Sequence, residues 1–181
     1  MKHLKYLLLV STFCSTVLLT NCLEEKRLKE KNQNSFLVRD SNGVTIKATA
    51  NAEVGTRYEL EGVNYVVVDL KYLREAITNG VDVSHFVTSR VYDMTDLFND
   101  DEDFNQDISS WDVSNVRYMD NMFRGASSFN QDIGAWNMSE VCNMVGMFHS
   151  ASSFNQDISA WDVSNVACWN NDKVGMWRVF Y

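Results

Sequence analysis

The chain has 181 residues, a formal net charge of −8 and no proline, and hydrophobic residues make up 45% of it. This apolar fraction is ordinary for a chain that buries a core, so it excludes wholesale disorder. The negative charge argues against a nucleic-acid-binding protein, because phosphate contacts require a basic surface. The length suits one domain, or one domain with a small appendage.

The N-terminal residues have the pattern of a secretory signal peptide. Two lysines precede an apolar stretch over residues 6–19, which is too short to span a bilayer comfortably. Leu19-Thr20-Asn21-Cys22 follows and resembles the lipobox of bacterial lipoproteins, whose cysteine is acylated. The alternative is ordinary secretory cleavage nearby, which would leave Cys22 unmodified. We expect a signal peptide over residues 1–21, lipid attachment at Cys22 and a lipid-anchored, surface-exposed location in the cell envelope.

Two further segments precede the central part of the chain. Residues 22–35 are charged and polar, and we expect them to form a solvated tether. In residues 36–78, β-branched runs around Asn42-Gly43 and Gly62 predict two strand pairs, and a helix should follow Asp69 as its N-cap. This small unit is either an independent binding domain or, as we favour, an N-terminal cap on the repeats that follow.

A 25-residue repeat dominates the rest of the sequence. Phe-Asn-Gln-Asp-Ile begins at residues 104, 129 and 154, and residues 104–128 share 14 of 25 identities with residues 129–153. An alignment of residues 104–116 with residues 154–166 gives 12 identities in 13 positions. A more divergent copy begins near residue 79, so the sequence predicts three to four repeats over residues 79–166.

Each repeat combines two hydrophobic periodicities. Residues 116–126 place their apolar side chains on one helical stripe, with Ser114 as the N-cap, and residues 129–136 have the spacing of a short strand. One helix and one strand cannot close a core alone, whereas stacked copies can. The sequence therefore predicts an α/β fold: a short leucine-rich-repeat-like solenoid with one helix and one short strand per 25-residue unit and a small N-terminal α+β cap.

The residues expected to form the repeat core share recurring apolar positions. They are Phe104, Ile108, Trp111, Val116, Met119, Phe123, Phe129, Ile133, Trp136, Val141, Met144, Phe148, Phe154, Ile158 and Trp161. The three tryptophans would offer a carbohydrate platform if they were exposed, but aromatic residues at fixed repeat positions more often stack internally.

Polar residues also recur in register. Asn105, Gln106 and Asp107 reappear in the next two repeats, as do their neighbours. Stacked carboxylates can hold calcium, but the glycine-rich turn of calcium-binding repeats is missing. We favour asparagine and glutamine ladders with aspartates bound to turn amides, and we expect no metal site.

The repeat motif carries a family resemblance. Phe-Asn-Gln-Asp-Ile-x-x-Trp-Asp-Val-Ser-Asn-Val-x-x-Met-x-x-Met-Phe-x-x-Ala-Ser-Ser resembles the repeat of BspA-like leucine-rich-repeat bacterial surface proteins, over about residues 79–166. The resemblance implies a surface location and a binding role, in some members adhesion to host or matrix proteins. It implies no catalytic residue, because the motif contains none.

Several residues lie outside this pattern. Histidines are scattered and no acid–base, nucleophile or phosphate-binding motif is present, so we expect neither an enzyme nor a cofactor. Cys142 and Cys168 lie in adjacent repeats, and they form either a disulfide or two separate thiols. Residues 167–181 leave the repeat pattern and are either a C-terminal cap or the remnant of a shortened repeat with an open edge.

These observations predict a function of recognition. Non-core positions differ between repeats: Arg117 and Tyr118 of one repeat correspond to Cys142 and Asn143 of the next. Such variation on a constant frame is expected of a binding surface. The predicted protein is a lipid-anchored surface module for recognition or adhesion. Its partner would be an unknown protein on a host cell, in the matrix or on a neighbouring cell. The module would contact the membrane through the N-terminal lipid, and we expect it not to bind nucleic acid. The alternative is a structural or self-associating envelope component without a separate ligand.

Overall fold

The computed structural model describes residues 35–166. The predicted signal peptide, Cys22, Cys168 and the C-terminal tail lie outside these residues, as does all of the tether except Ser35. Within the described range, no helix is long and apolar enough to cross a membrane.

Two antiparallel strand pairs form the first part of the fold, as predicted. Strand β1 (Leu37–Arg39) pairs with β2 (Ile46–Ala48), and β3 (Arg57–Leu60) pairs with β4 (Val63–Asp69). The turn between β3 and β4 places Glu61 and Gly62 at φ values of 54° and 82°. Two consecutive positive φ values are typical of the tight turn that matches the twist of a hairpin.

The predicted helix is present as α1 (Leu70–Thr78), and both of its ends are capped. The Asp69 carboxylate accepts a hydrogen bond from the Tyr72 amide at 2.8 Å. At the C-terminal end, Gly80 has a φ of 66° and its amide donates to Ile77, while the Val81 amide donates to Ala76. This is the Schellman arrangement, in which a left-handed glycine lets two amides bond to the last turn.

A third strand completes the sheet. Strand β5 (Phe86–Arg90) runs parallel to β4, so the strand order is β3-β4-β5 and α1 is the crossover between parallel neighbours. Leu37, Ile46, Tyr65, Val67 and Val87 pack between the two sheets. The N-terminal unit therefore has its own small core.

The prediction of a solenoid with a helix and a strand in each unit is wrong. In the described residues, all five strands and the one helix lie between Leu37 and Arg90, and residues 91–166 consist of turns and isolated bridges. Equivalent positions in three repeats have left-handed backbone: Asp96, Asn121 and Gly146, and four residues later Asp100, Gly125 and Ser150. An α-helix cannot continue through left-handed residues, so the apolar spacing that predicted a helix belongs to a chain of turns.

Successive repeats are joined by a ladder of backbone hydrogen bonds. Every second amide from Met94 to Asp100 donates to a carbonyl 24 residues later, at 2.7–2.9 Å, and the amides from Met119 to Gly125 do the same to residues 143–149. Hydrogen bonds from every second residue are also the pattern between neighbouring strands of a parallel sheet. Isolated parallel bridges join Asp93 to Tyr118 and Tyr118 to Asn143. Equivalent residues of neighbouring repeats therefore lie side by side.

Aromatic rings fill the space inside the ladder. The ring centroid of Phe123 lies 5.6 Å from that of Phe98 and 5.7 Å from that of Phe148, and the rings are nearly parallel. Phe129 lies 5.8 Å from both Phe104 and Phe154 in a second, interleaved stack. Because each repeat contributes one ring to each stack, both stacks run continuously from repeat to repeat.

The N-terminal unit contacts the first repeats through polar bonds as well as apolar packing. Asp112 is buried, and its carboxylate accepts a hydrogen bond from the Ser89 hydroxyl at 2.5 Å, while its carbonyl accepts one from Thr88 at 2.9 Å. The Ile46 amide donates to the Ser110 carbonyl at 2.9 Å. Both the β2 edge and β5 are thus bonded to the segment around Asp112.

Candidate binding surface

The residues predicted for the repeat core occupy the interior. Thirteen of the fifteen are buried, and Phe154 and Ile158 in the last described repeat are partly buried. These side chains form the frame of the repeats and offer no surface to a ligand.

The tryptophans are part of this frame. Trp111 and Trp136 are 0% and 3% exposed, so they cannot serve as a platform for a sugar ring. Their indole N–H groups donate to the carbonyls of Val83 and Ile108 at 3.1 and 3.3 Å, and Trp161 donates to Ile133 in the same way. The prediction that the tryptophans lie inside the repeats is confirmed, and the rings of Trp136 and Trp161 stack with centroids 6.5 Å apart. Each indole also bonds one repeat to the one before it.

The recurring polar residues form the expected ladder. The backbone N–H of Asn130 donates to the side-chain Oδ1 of Asn105, and the backbone N–H of Asn155 donates to Oδ1 of Asn130, both at 3.0 Å. Gln131 and Gln156 reach back to the same asparagines at 2.8–3.0 Å. The amide side chains of this surface are therefore used to join repeats.

The aspartates beside this ladder bind backbone amides. Asp107, Asp132 and Asp157 accept hydrogen bonds from the amides two residues later at 2.9–3.0 Å. The bonds from Ser159 hold the pKa of Asp157 below its usual value. A turn closed by an aspartate side chain in this way explains why aspartate recurs at this position, and it requires no calcium ion. In the described range, no three His, Cys, Asp or Glu side chains come together in a way that could hold a metal.

A different part of the surface varies between repeats, and we call it the variable face. It contains the non-core residues of the ladder segment in each repeat: Tyr92, Asp93, Thr95 and Asp96; Arg117, Tyr118, Asp120 and Asn121; Cys142, Asn143 and Val145. The bridges from Asp93 to Tyr118 to Asn143 make the face continuous across three repeats. The sequence-based expectation of variable residues on a constant frame thus corresponds to one defined surface.

The side chains of the variable face include large apolar groups open to solvent. Tyr92 is 58% exposed and Val145 is 40% exposed, while Tyr118 between them is half-buried. Arg117 lies 3.8 Å from the Glu140 carboxylate in an exposed ion pair. Cys142 is half-buried, with its sulfur 3.7 Å from the Glu140 carbonyl, and its predicted partner Cys168 lies outside the described residues.

Carboxylates dominate the charge of this surface. Burial raises the pKa of Asp120 above its ordinary value, and the nearby charges of Asp93 and Asp96 act in the same direction. The backbone amides of Asp120 and Val145 act against this rise. Three carboxylates of two neighbouring repeats are therefore close enough to affect one another.

Two elements of this arrangement were not predicted from the sequence. One is the burial of Asp112, which its sequence context does not indicate, since an acidic residue two positions before Ser114 signals only a turn. The left-handed columns were also missed. Their signal is the residue type, because aspartate, asparagine and glycine tolerate positive φ better than other residues.

The histidines outside the signal region do not join a reactive group. The Ser84 hydroxyl and Nδ1 of His85 lie 3.0 Å apart, and the exposed His85 ring lies 5.7 Å from the ring of the buried Tyr65. His149 accepts a ladder bond through its carbonyl, from the Gly125 amide. That the protein is no enzyme stays a prediction.

Comparison with known proteins places the repeats in a family. A family model described as a Mycoplasma protein of unknown function, DUF285, matches residues 68–174. This match covers more than half of the chain, so the chain belongs to the DUF285 family. The match suggests a surface-protein-like repeat family and bears on neither a BspA-like nor a lipoprotein identity. No curated protein and no solved structure matches the chain.

Proposed function

We propose that this DUF285 protein is a lipid-anchored recognition module on the cell surface, which binds a partner protein through the variable face. The partner would lie on a host cell, a neighbouring cell or the extracellular matrix. The closer relation to BspA-like surface proteins is part of this proposal and rests on the shared repeat motif.

One observation carries the proposal. The backbone ladder places equivalent residues of three repeats side by side, and the buried members of these positions stay nearly constant while the exposed ones change. A stack whose only role was structural would gain nothing from a tyrosine, an arginine and a cysteine at the equivalent positions 92, 117 and 142. A recognition surface gains specificity from such differences.

The exposed apolar side chains support the same function. Tyr92 and Val145 are solvent-exposed, at opposite ends of the face. Tyrosine contributes large contact area at a small cost in side-chain entropy, and it is enriched in protein interfaces. The proposal assigns no reaction to the protein, because neither the repeat motif nor the variable face pairs a nucleophile with a base.

Binding through this face can be tested with substitutions borrowed from neighbouring repeats. In the triple variant Tyr92→Arg, Tyr118→Asn and Val145→Asp, each new residue already stands at the equivalent position of another repeat, so the frame should tolerate it. The control variant Ser109→Gly, Ser110→Ala and Ala160→Ser is built by the same rule away from the face. Full-length proteins are screened against surface and matrix proteins by biolayer interferometry.

We expect a saturable partner for the unchanged protein and the control variant, and a loss of about tenfold or more in affinity for the face variant. A partner bound equally by all three would contradict the assignment to the variable face. If no partner binds and the protein associates with itself as its concentration rises, a structural role is the better description.

Acylation can be tested separately. We expect the protein to partition into a detergent phase, and the variant Cys22→Ala to move to the aqueous phase because it lacks the lipid anchor. Cys142→Ala is the matched control, since it also removes one cysteine, and it should partition like the unchanged protein. Unchanged partitioning of Cys22→Ala would contradict the lipid anchor.

A further inference from the structure

The variable face combines exposed side chains that suit a particular kind of partner. Tyr92 is 58% exposed and lies beside Arg117 of the next repeat, while the parallel bridge places the half-buried Tyr118 beside Asp93. The face of a tyrosine ring attracts a lysine ammonium or an arginine guanidinium. Large side chains left open to water are typical of a contact surface.

The repeat region around this face carries mostly negative charge. Residues 91–166 contain thirteen Asp or Glu residues and two Arg. One of these arginines, Arg117, already forms an ion pair with Glu140. Arg74 of helix α1 reaches the edge of the face, where it donates to the Thr95 carbonyl at 2.8 Å.

We infer that the partner presents a protein segment rich in lysine or arginine to the variable face, an inference that rests on the proposed function. Charge complementarity selects this occupant, because cationic side chains would meet both the carboxylates and the tyrosine rings. A nucleic acid or an anionic lipid surface would be repelled by the same charges. A second copy of this acidic repeat region would be repelled as well.

The inference predicts which carboxylates matter. Asp93→Asn, Asp96→Asn and Asp120→Asn remove three charges from the face, and asparagine already stands at the positions equivalent to the first two, Asn143 and Asn121. Asp107→Asn, Asp132→Asn and Asp157→Asn remove three charges from the constant polar ladder. Both triple variants have the same net charge, and asparagine can keep the turn bonds as Asn137 does with Ser139 at 3.1 Å.

The probe is a fluorescent 12-residue peptide of alternating lysine and serine, and binding is followed by fluorescence anisotropy with full-length protein at low and at physiological salt. A peptide with glutamate in place of lysine is the control. We expect the lysine peptide to bind, the face variant to lose about tenfold in affinity, and the ladder variant to lose less than about threefold. Affinity should fall with added salt, because exposed charges are screened.

Three results would overturn the inference. They are no binding of the lysine peptide, equal losses in both variants, and equal binding of the glutamate peptide. The proposed function would survive each of them, provided that a surface or matrix protein still lost affinity for the variant Tyr92→Arg, Tyr118→Asn and Val145→Asp. If that protein bound all variants equally, the proposed function itself would fail.

Discussion

Asp100 and Gly125 stand at the same position of successive repeats, and their contact leaves little room for a side chain on the glycine. Both residues have left-handed backbone, with φ values of 60° and 71°. A Cβ atom on Gly125 would lie 2.5 Å from Oδ1 of Asp100 and 3.3 Å from its Cα. The Asp100 amide also donates to the Arg124 carbonyl at 2.7 Å, which fixes the two backbones at this distance.

We therefore expect Gly125→Ala to lower the free energy of unfolding by about 2 kcal/mol or more, from left-handed strain and overpacking together. The control is Gly80→Ala, because Gly80 has a φ of 66° but nothing within 4 Å of an added Cβ. That variant should lose only about 1 kcal/mol, the cost of the left-handed backbone. Denaturant unfolding measures both, and equal losses would contradict the close contact between repeats.

Gly134 tests the spacing between the second and third repeats. An added Cβ would lie 2.6 Å from the Asp157 backbone carbonyl oxygen, although the φ of Gly134 is outside the left-handed region. We expect Gly134→Ala to lower the free energy of unfolding by about 1 to 3 kcal/mol, because a backbone atom of the next repeat must move. Ser109→Ala, at the equivalent position one repeat earlier, should change it by less than about 0.5 kcal/mol. A neutral Gly134→Ala would mean that the repeats separate easily.

The N-terminal unit could be predicted because its signals are local. Asn42-Gly43 and Glu61-Gly62 mark hairpin turns, and Asp69 with Gly80 marks both ends of the helix, independently of the rest of the chain. These signals work because the backbone conformation that they require is intrinsic to the residue types.

The repeats were predicted correctly in their period and core residues and incorrectly in their local structure. Val116, Met119 and Phe123 are buried, so their spacing did identify the inner side of the repeat. The error was to assign this spacing to a helix, because a series of turns can bring the same side chains inward. The aspartate, asparagine or glycine at positions 96, 121 and 146 was the residue-type signal against a helix.

The variable face could be anticipated only as a set of differing positions. Its continuity depends on bonds between residues 24 or 25 apart, such as Arg117 to Tyr92, and no single repeat contains that information. The burial of Asp112 likewise depends on Ser89, which lies in β5 of the N-terminal unit. Contacts between units were therefore the part that the sequence pattern left open.

Asp112 should make a large contribution to stability, because it is buried and accepts bonds from Ser89 and Ser114. We expect Asp112→Ala to lower the free energy of unfolding by about 2 to 3 kcal/mol, since the Ser89 hydroxyl would lose its partner in a buried site. Asp162→Ala is the control: this aspartate stands at the equivalent position two repeats later, is exposed, and should cost less than about 1 kcal/mol. Equal losses in thermal or denaturant unfolding would contradict a special role for the buried carboxylate.

Asp120 of the variable face should give stability an unusual pH dependence. Burial raises the pKa of Asp120, so the folded state holds the proton more tightly than the unfolded state does. Its contribution to stability is therefore present below the ordinary pKa of about 3.9 and is lost as the pH rises through the raised value. At neutral pH the charged form is disfavoured by burial and by Asp93 and Asp96.

We expect Asp120→Asn to raise the free energy of unfolding at neutral pH and to have little or the opposite effect in acid, because asparagine carries no charge at either pH. Asp157→Asn is the matched control with the opposite sign. The pKa of Asp157 is lowered by its bonds to Ser159, so its contribution is present above the ordinary pKa and is lost as the pH falls. Denaturant unfolding of the three proteins between about pH 3 and pH 7 measures both effects. A neutral-pH loss of stability in Asp120→Asn would show that the carboxylate is bound favourably there, against the burial and repulsion described for the variable face.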